Sequence, residues 1–184
     1  LLTGHVGRWG SGLNPLRGQN NVQGGGDMGA LPDRLPGFQH VENDEVRAKF
    51  DRFYGTAVPP KKGWHLSGMF DAMDRGELRA LYVIGENPVQ SEADQHRATR
   101  LLEGLECLVV QDIFLTETAW LADVVLPASA WPEKTGTVSN TDRTVQLGRQ
   151  ALTPPGEARP DLWIIQQIAR GMGLDWRFEG EHDG

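Results

Sequence analysis

The chain has 184 residues, of which 39% are hydrophobic and 23% are charged, proportions that are typical of a soluble globular domain and exclude a disordered chain. The longest apolar runs are only a few residues long, so the sequence predicts no membrane insertion. A formal net charge of −7 argues against non-specific nucleic-acid binding, which needs a basic surface, although local amides and single cations can still bind an anionic ligand.

Residues 1–65 are rich in Gly, Asn, Pro and Gln and have weak periodicity. They begin Leu1-Leu2-Thr3-Gly4, which is typical of a helix stopped by glycine, so we expect further residues upstream. No signal peptide is visible, and a cytoplasmic location is expected. Residues 17–29 are polar and dense in glycine, so core packing alone should not order them. They are interpreted either as a pocket-lining loop, in which the planar fork of Arg17 suits a small carboxylate, or as a disordered linker.

Residues 66–176 alternate between helical and strand-like patterns, and residues 177–184 read as a polar tail. The strands are almost continuously apolar, which indicates burial on both faces. The only cysteine, Cys107, is then a buried structural thiol and cannot form an internal disulfide or a thiolate metal site. The predicted helices cover residues 67–75, 117–122 and 160–171 with another from Ser91 onward, and the predicted strands cover residues 78–84, 107–110 and 123–126.

This alternation predicts an α/β fold: a parallel twisted sheet with helices on both faces, Rossmann-like, preceded by the Gly/Asn-rich segment. Ser91 is expected to begin its helix, with Asp94 in a variant capping box. The last helix is expected to bury one side, which is formed by Leu162, Ile165, Ile168, Ala169 and Met172.

In a parallel sheet, ligands bind beyond the carboxyl ends of the strands, which selects residues 85–88 and 111–112 as pocket loops. Gly85 permits close backbone approach and Asn87 offers an amide beside the amino end of a helix, although a plain strand-to-helix turn has the same pattern. The carboxylate of Asp112 accepts two parallel bonds from a guanine edge, or else caps the following helix. Asp161 has the same two interpretations.

The loop of residues 131–136 places Lys134 after the third strand. It is interpreted either as a cation for a bound ligand or as an ordinary solvated lysine. Residues 140–143 follow and have the composition of a hairpin turn.

The order and spacing of several motifs along the chain match those of a known family. These motifs are residues 17–24, 27–32, 85–88, 110–114, 116–119, 122–127 and 133–137, with Asn140 and Arg143. Together they closely resemble the catalytic subunit of the molybdopterin-dependent formate dehydrogenases, in the dimethyl-sulfoxide-reductase superfamily. The later motifs mark the superfamily, whereas Arg17-Gly18-Gln19-Asn20-Asn21 narrows the resemblance to the formate dehydrogenase branch. The resemblance runs over residues 1–176.

The resemblance implies a bis(molybdopterin guanine dinucleotide) cofactor with molybdenum or tungsten. It also implies a 4Fe-4S cluster elsewhere in the full subunit, and oxidation of formate to carbon dioxide with two electrons passed to electron-transfer subunits. Arg17 would bind the formate carboxylate and Gln19 would line the same pocket. One guanine dinucleotide would be held by Gly85, Asn87, Gln111, Asp112, Thr116, Lys134 and Asp161.

The chain departs from the family in what it lacks. The metal-ligating cysteine or selenocysteine with its adjacent histidine, the four cluster cysteines and the carboxy-terminal cofactor domain would all lie outside it, so we expect the fragment alone to be inactive. Gly25-Gly26 replaces a small-residue pair that often includes cysteine in relatives. Two alternatives stay open: a superfamily oxidoreductase acting on nitrate or another oxo-anion, and a non-catalytic guanine-nucleotide-binding or subunit-docking module.

Overall fold

The computed structural model describes residues 1–177, so the predicted polar tail lies almost wholly outside the described residues. The helices are α1 (Val22–Asp27), α2 (Asp44–Tyr54), α3 (Leu66–Asp74), α4 (Pro88–Ser91), α5 (Gln95–Glu103), α6 (Glu117–Trp120) and α7 (Asp161–Gly171), with a 3-10 turn at Trp131–Glu133. The strands are β1 (Arg34–Leu35), β2 (Gln39–His40), β3 (Ala80–Ile84), β4 (Cys107–Asp112), β5 (Val124–Pro127), β6 (Gly136–Ser139) and β7 (Val145–Gly148).

The chain divides into two compact units. Unit 1 comprises Leu1–Trp64 together with Gly136–Gly148, and unit 2 comprises His65–Thr135 and the residues from Arg149 onward. The predicted division at residue 65 into a pocket segment and a cofactor-binding domain stays a prediction.

Unit 1 contains a helix where the sequence predicted a loop. Helix α1 includes three consecutive glycines and follows Asn21, whose backbone is left-handed with φ 60°. It lies against β6 of the antiparallel hairpin β6–β7. The predicted turn at residues 140–143 is confirmed, since the Arg143 N–H donates to the Asn140 carbonyl at 2.9 Å. The disordered-linker interpretation is therefore wrong for Val22–Asp27.

The sequence analysis also did not predict helix α2. The Asn43 side chain accepts the N–H groups of Glu45 and Val46 at 2.9 and 3.1 Å, and Gly55 ends the helix with φ 68°. Acidic residues in the first turn and a terminal glycine are sequence signals for these two boundaries. Val46, Phe50 and Phe53 also have the spacing of an apolar helical stripe, a signal that the sequence analysis did not use, although only Phe50 is buried on α2.

Unit 2 is built on a three-stranded parallel sheet in the order β3-β4-β5. The predicted parallel α/β sheet flanked by helices is confirmed. Helices α3, α5 and α6 cover one face and bury a single apolar core, in which truncating a residue such as Leu102 to alanine costs about 2–5 kcal/mol. The members of this core are Phe70, Met73, Val83, Ala98, Leu101, Leu102, Leu108, Val110 and Ala119.

Burial on both faces is correct for β4 and wrong for its neighbours. Tyr82 and Ile84 on β3, and Val124 and Val125 on β5, are all more than one-third exposed. Both strands are edges of the three-stranded sheet within the described residues, and the helices cover them only in part: Val83 on β3 is buried, whereas Val124 and Val125, which point to opposite faces of β5, are both exposed. Cys107 is exposed rather than buried, because it is the first residue of β4 and points away from the core side on which Leu108 lies.

Two further boundaries differ from prediction. Ser91 ends α4 instead of beginning a helix, and α5 starts after Asp94, whose carboxylate accepts the Arg97 N–H at 2.9 Å. The predicted apolar side of α7 is largely wrong, since only Ala169 of its five residues is buried. Ile164 and Ala169 are buried, whereas the exposed residues of α7 and its C-cap include Leu162, Ile168 and Met172. Two apolar stripes overlap on this helix, and periodicity alone does not say which one packs.

Within residues 1–177, no helix is both long enough and apolar enough to cross a lipid bilayer.

Arg97 joins α5 to α3 through two carboxylates. Its guanidinium donates to Asp74 Oδ2 at 2.6 and 2.9 Å and to Asp71 Oδ1 at 2.8 Å. Arg100 donates to the other oxygen of Asp74 at 3.2 Å. These hydrogen bonds hold the pKa of Asp74 below its ordinary value of 3.8, and the bond from Arg97 has the largest effect.

We expect this cluster to stabilise the fold at neutral pH and to lose that effect in acid. Because the folded-state pKa is lowered, the stabilisation is fully present well above pH 3.8 and disappears as the pH falls through the folded-state value. Urea unfolding of the wild type and Asp74→Asn from neutral pH downward measures the effect. The difference between the two should shrink in acid, whereas Glu103→Gln, an exposed carboxylate of α5, should differ little from wild type throughout. A difference that stays constant with pH would contradict this.

Candidate functional site

The loop after β3 turns at Gly85, at the carboxyl edge of the sheet in unit 2. Gly85 has φ +63°, and a β-carbon added there would meet nothing within 4 Å. Its N–H donates to the Gln111 carbonyl at 2.8 Å, which ties the loop to β4. Glycine is therefore required by the left-handed backbone and not by crowding. The open space beside it leaves the backbone accessible to a ligand.

Asn87 fastens this loop to α6. Its Oδ1 accepts the Thr118 hydroxyl at 2.7 Å and the Thr118 N–H at 3.1 Å, and its Nδ2 donates to Glu117 Oε2 at 2.7 Å. The bond from Asn87 is the main reason that the pKa of Glu117 is lowered. The Asn87 side chain is thus largely engaged within the protein. Thr116 has a local role as well, since its hydroxyl caps α6 by accepting the Ala119 N–H at 3.2 Å.

Asp112 is not a helix cap, because α6 begins only at Glu117 and is capped by Thr116. Its Oδ1 accepts the Phe114 N–H at 3.0 Å, and its backbone carbonyl accepts the Ala128 N–H at 3.0 Å. Within the described residues, the second carboxylate oxygen has no hydrogen-bond partner. Asp112 therefore presents a half-engaged carboxylate at the end of β4.

Asp161 is the centre of a polar network on the sheet face opposite the apolar core. Its Oδ1 accepts Gln111 Nε2 at 2.7 Å, and its Oδ2 is ion-paired with Lys134. Gln111 is fully buried, and its Oε1 accepts the Tyr82 hydroxyl. The structure corrects two alternatives. Asp161 lies in the first turn of α7 without capping it, and Lys134 is an ion-paired lysine with about one-third of its side chain exposed, not a freely solvated one.

Tyr82 and Ser129 are two members of this region that the sequence analysis missed. Burial, and then the charge of Asp161, raise the pKa of Tyr82. Tyr82 lies on β3 two residues before Ile84, and Ile84 pairs with Gln111 in the sheet. This position on the strand is the feature that could have identified Tyr82 as a neighbour of Gln111. Ser129 accepts from Lys134 Nζ through its carbonyl at 3.4 Å, and its buried hydroxyl has no partner within the described residues. An orphaned buried hydroxyl beside a cation marks a polar position that protein groups do not fully satisfy.

Unit 1 holds the predicted substrate residues in one cavity. Arg17 and Gln19 line it, together with residues around Asn21 and the tip of the β6–β7 hairpin. The Arg17 Nη2 donates to Gln23 Oε1 at 3.2 Å, and Gln23 Nε2 donates to Asp27 Oδ1 at 3.1 Å. Gln23 was not selected from the sequence. Because an ionised carboxylate only accepts hydrogen bonds, Asp27 fixes which end of the Gln23 amide faces the guanidinium.

Within residues 1–177, no group of three or more His, Cys, Asp or Glu side chains is placed to hold a metal ion. What the two units offer is a guanidinium in unit 1, and in unit 2 an accessible loop backbone, a carboxylate and an ion-paired ammonium. These groups suit anionic and hydrogen-bonding ligands.

Comparison with known proteins agrees with this chemistry. The molybdopterin oxidoreductase family model matches residues 1–171. The F420-dependent formate dehydrogenase subunit alpha of Methanocaldococcus jannaschii is 49% identical over 97% of this chain, which spans 26% of that protein. A putative formate dehydrogenase of Bacillus subtilis is 45% identical over the whole chain, which spans 19% of that protein.

A solved structure supports the fold. Acetylene hydratase from Pelobacter acetylenicus matches 84% of this chain with a TM-score of 0.57 at 24% identity, and the chain spans 20% of that protein. At this identity the likeness concerns the fold alone. In each comparison the chain corresponds to about a quarter or less of the matched protein.

Substitution of the glycines of α1 tests the position of Asn21, which lines the cavity in unit 1. A β-carbon on Gly24 would lie 2.1 Å from Asn21 Oδ1, the atom that accepts the Ser139 N–H at 2.9 Å. Gly24→Ala should therefore displace Asn21, break this bond and destabilise the protein by about 1–3 kcal/mol. A β-carbon on Gly25 meets only the Ala30 methyl at 4.0 Å, so the control Gly25→Ala should be neutral or stabilising, by up to about 1 kcal/mol. Thermal unfolding measures both, and similar behaviour of the two variants would contradict the assigned contact.

Proposed function

We propose, since the chain belongs to the molybdopterin oxidoreductase family, that it is part of the catalytic subunit of a formate dehydrogenase. It would contribute the formate-binding arginine and part of a bis(molybdopterin guanine dinucleotide) pocket. The observation that carries the proposal is the 45–49% identity to formate dehydrogenases over 97–100% of the chain. The chain spans 19–26% of those proteins; the metal ligand and the 4Fe-4S cluster would be held by the rest of the subunit, and separate electron-transfer subunits would receive the electrons.

The donor set of unit 2 fits a guanine dinucleotide. Such a ligand needs a cation and backbone donors for its phosphates and a carboxylate for the guanine edge. Lys134 and the loop at Gly85 supply the first two, and the orphaned hydroxyl of Ser129 lies beside the same lysine. When bound, the cofactor supplies the metal centre that accepts the two electrons of formate.

Asp112 is a better guanine partner than Asp161. Both oxygens of Asp161 already accept, one from Gln111 and the other from Lys134. Asp112 has only one oxygen engaged, and that one by a backbone N–H. Asp161 is then assigned to holding Lys134, whose ammonium would donate to a ligand phosphate or pterin oxygen.

Arg17 would bind the formate carboxylate. A guanidinium matches a carboxylate with two parallel hydrogen bonds, and the contact with Gln23 constrains its plane. Gln19, which lines the same cavity, would contact the substrate from beside it.

The decisive experiment assays the full-length enzyme with formate and with nitrate, each with a matching redox dye. Formate-dependent dye reduction is expected. Nitrate reduction without formate oxidation would instead support the oxo-anion alternative. A purified protein that carries no molybdenum or tungsten, but binds guanine nucleotide, would support the non-catalytic module.

Arg17→Lys should reduce turnover of formate far more than it reduces cofactor loading. Lysine retains the charge but loses the fork, and losing a hydrogen bond between charged groups costs about 1.5–3 kcal/mol, roughly 10- to 150-fold in kcat/KM. Steady-state kinetics and metal content of the full-length variant measure the two effects. Arg8→Lys, an exposed arginine of the same unit, is the matched control. Equal losses of turnover and loading in Arg17→Lys would refute its assignment to substrate.

Asp112→Asn should lower cofactor occupancy, because an amide cannot accept both donors of a guanine edge. The measurement is guanine nucleotide and metal per polypeptide in the purified full-length variant. Glu103→Gln changes a carboxylate of the same unit without touching the strand ends, and should load normally. Unchanged occupancy in Asp112→Asn would show that guanine is bound elsewhere.

A further inference from the structure

We infer that Tyr82 is a positioning residue of the cofactor pocket, and that its hydroxyl acts through Gln111 and Asp161 on Lys134. This inference rests on the proposed function, since it assigns Lys134 to the cofactor. Tyr82 has no part in the motifs that indicated the family. The network that contains it lies wholly within unit 2.

The direction of each hydrogen bond in the network follows from its chemistry. The carboxylate of Asp161 only accepts, so it requires the Nε2 of Gln111 at its Oδ1, and the Gln111 Oε1 must face the other way. The group found there is the Tyr82 hydroxyl, which must donate. Tyr82 therefore locks the only amide orientation that serves Asp161.

The burial of Gln111 makes its hydrogen bond with Tyr82 important for the orientation of the amide. Gln111 is fully buried, so water does not replace a lost partner at its Oε1, and an unsatisfied buried carbonyl is costly. Tyr82 itself is 38% exposed. Its ring therefore contributes little to the apolar core, whose buried members all lie on the opposite face of the sheet.

The far end of the network is the ammonium of Lys134. It is held by the Asp161 carboxylate and by the Ser129 carbonyl at 3.4 Å. If Gln111 rotates, Asp161 loses its second anchor, and the position of the ammonium is set by one flexible ion pair. A phosphate or pterin oxygen then meets a less well-placed cation.

The test is a double-mutant cycle in the full-length enzyme with Tyr82→Phe, Gln111→Met and the double variant. The readout is cofactor retention, measured as guanine nucleotide and metal remaining per polypeptide through a timed dialysis. Tyr82→Phe should lose cofactor at least about fivefold faster than wild type, which is the low end of the cost of one unsatisfied buried hydrogen-bonding group. The double variant should lose it no faster than Gln111→Met, because the hydroxyl acts only through the amide. Tyr54→Phe, which changes the other tyrosine of the chain, should match wild type.

The outcomes separate this inference from the proposed function. A wild-type enzyme without molybdopterin cofactor or without formate oxidation overturns the proposed function. A loaded wild type with unchanged retention in Tyr82→Phe, or with additive losses in the double variant, overturns the role of Tyr82 alone. Thermal unfolding of the cofactor-free proteins provides the structural control. If Tyr82→Phe yields no folded protein, or melts lower while retaining cofactor normally, the hydroxyl serves the fold and the inference is wrong.

Discussion

The carboxylate of Asp161 is the point on which the arrangement of unit 2 depends. It begins a helix, accepts from an amide buried at the end of the central strand, and pairs with a lysine from a separate loop. Three segments distant in sequence are thus fixed by one group with two oxygens. The Asp161 side chain is about one-third exposed, so water partly screens its ion pair with Lys134, whereas the Gln111 amide is fully buried and depends on its hydrogen bond to Asp161.

The sheet itself could be predicted because its signals are local. Apolar runs followed by turn residues identify β3, β4 and β5, and the parallel topology then places Gly85 and Asp112 at one edge without further information. The pairing of side chains at that edge is different. Lys134 and Asp161 are 27 positions apart, and several polar groups could pair with each of them. The sequence therefore leaves several pairings open, and only the structure identifies the one that forms.

Other features were missed because tertiary contacts decided them. Three consecutive glycines have a low helix propensity. Helix α1 nevertheless forms, directly after Asn21, whose side chain accepts a hydrogen bond from Ser139 of β6. Cys107 lies in an apolar run, but its exposure depends on which face of the sheet the helices cover. Helix α2 is an exception, because its caps and the helical spacing of Val46, Phe50 and Phe53 could have been recognised in the sequence. The guanidinium of Arg17 suggested a small carboxylate ligand, whereas its assignment to formate and the role of Gln19 came from family resemblance.

The glycine run of α1 has one more consequence, which concerns steric access. A helix normally surrounds its peptide groups with a sheath of β-carbons, but residues 24–26 have none. Atoms of a neighbouring group can therefore approach the bare amide planes directly, as the Asn21 carboxamide does at Gly24. Side chains can therefore pack closer to the main chain at these positions than any other residue type would allow.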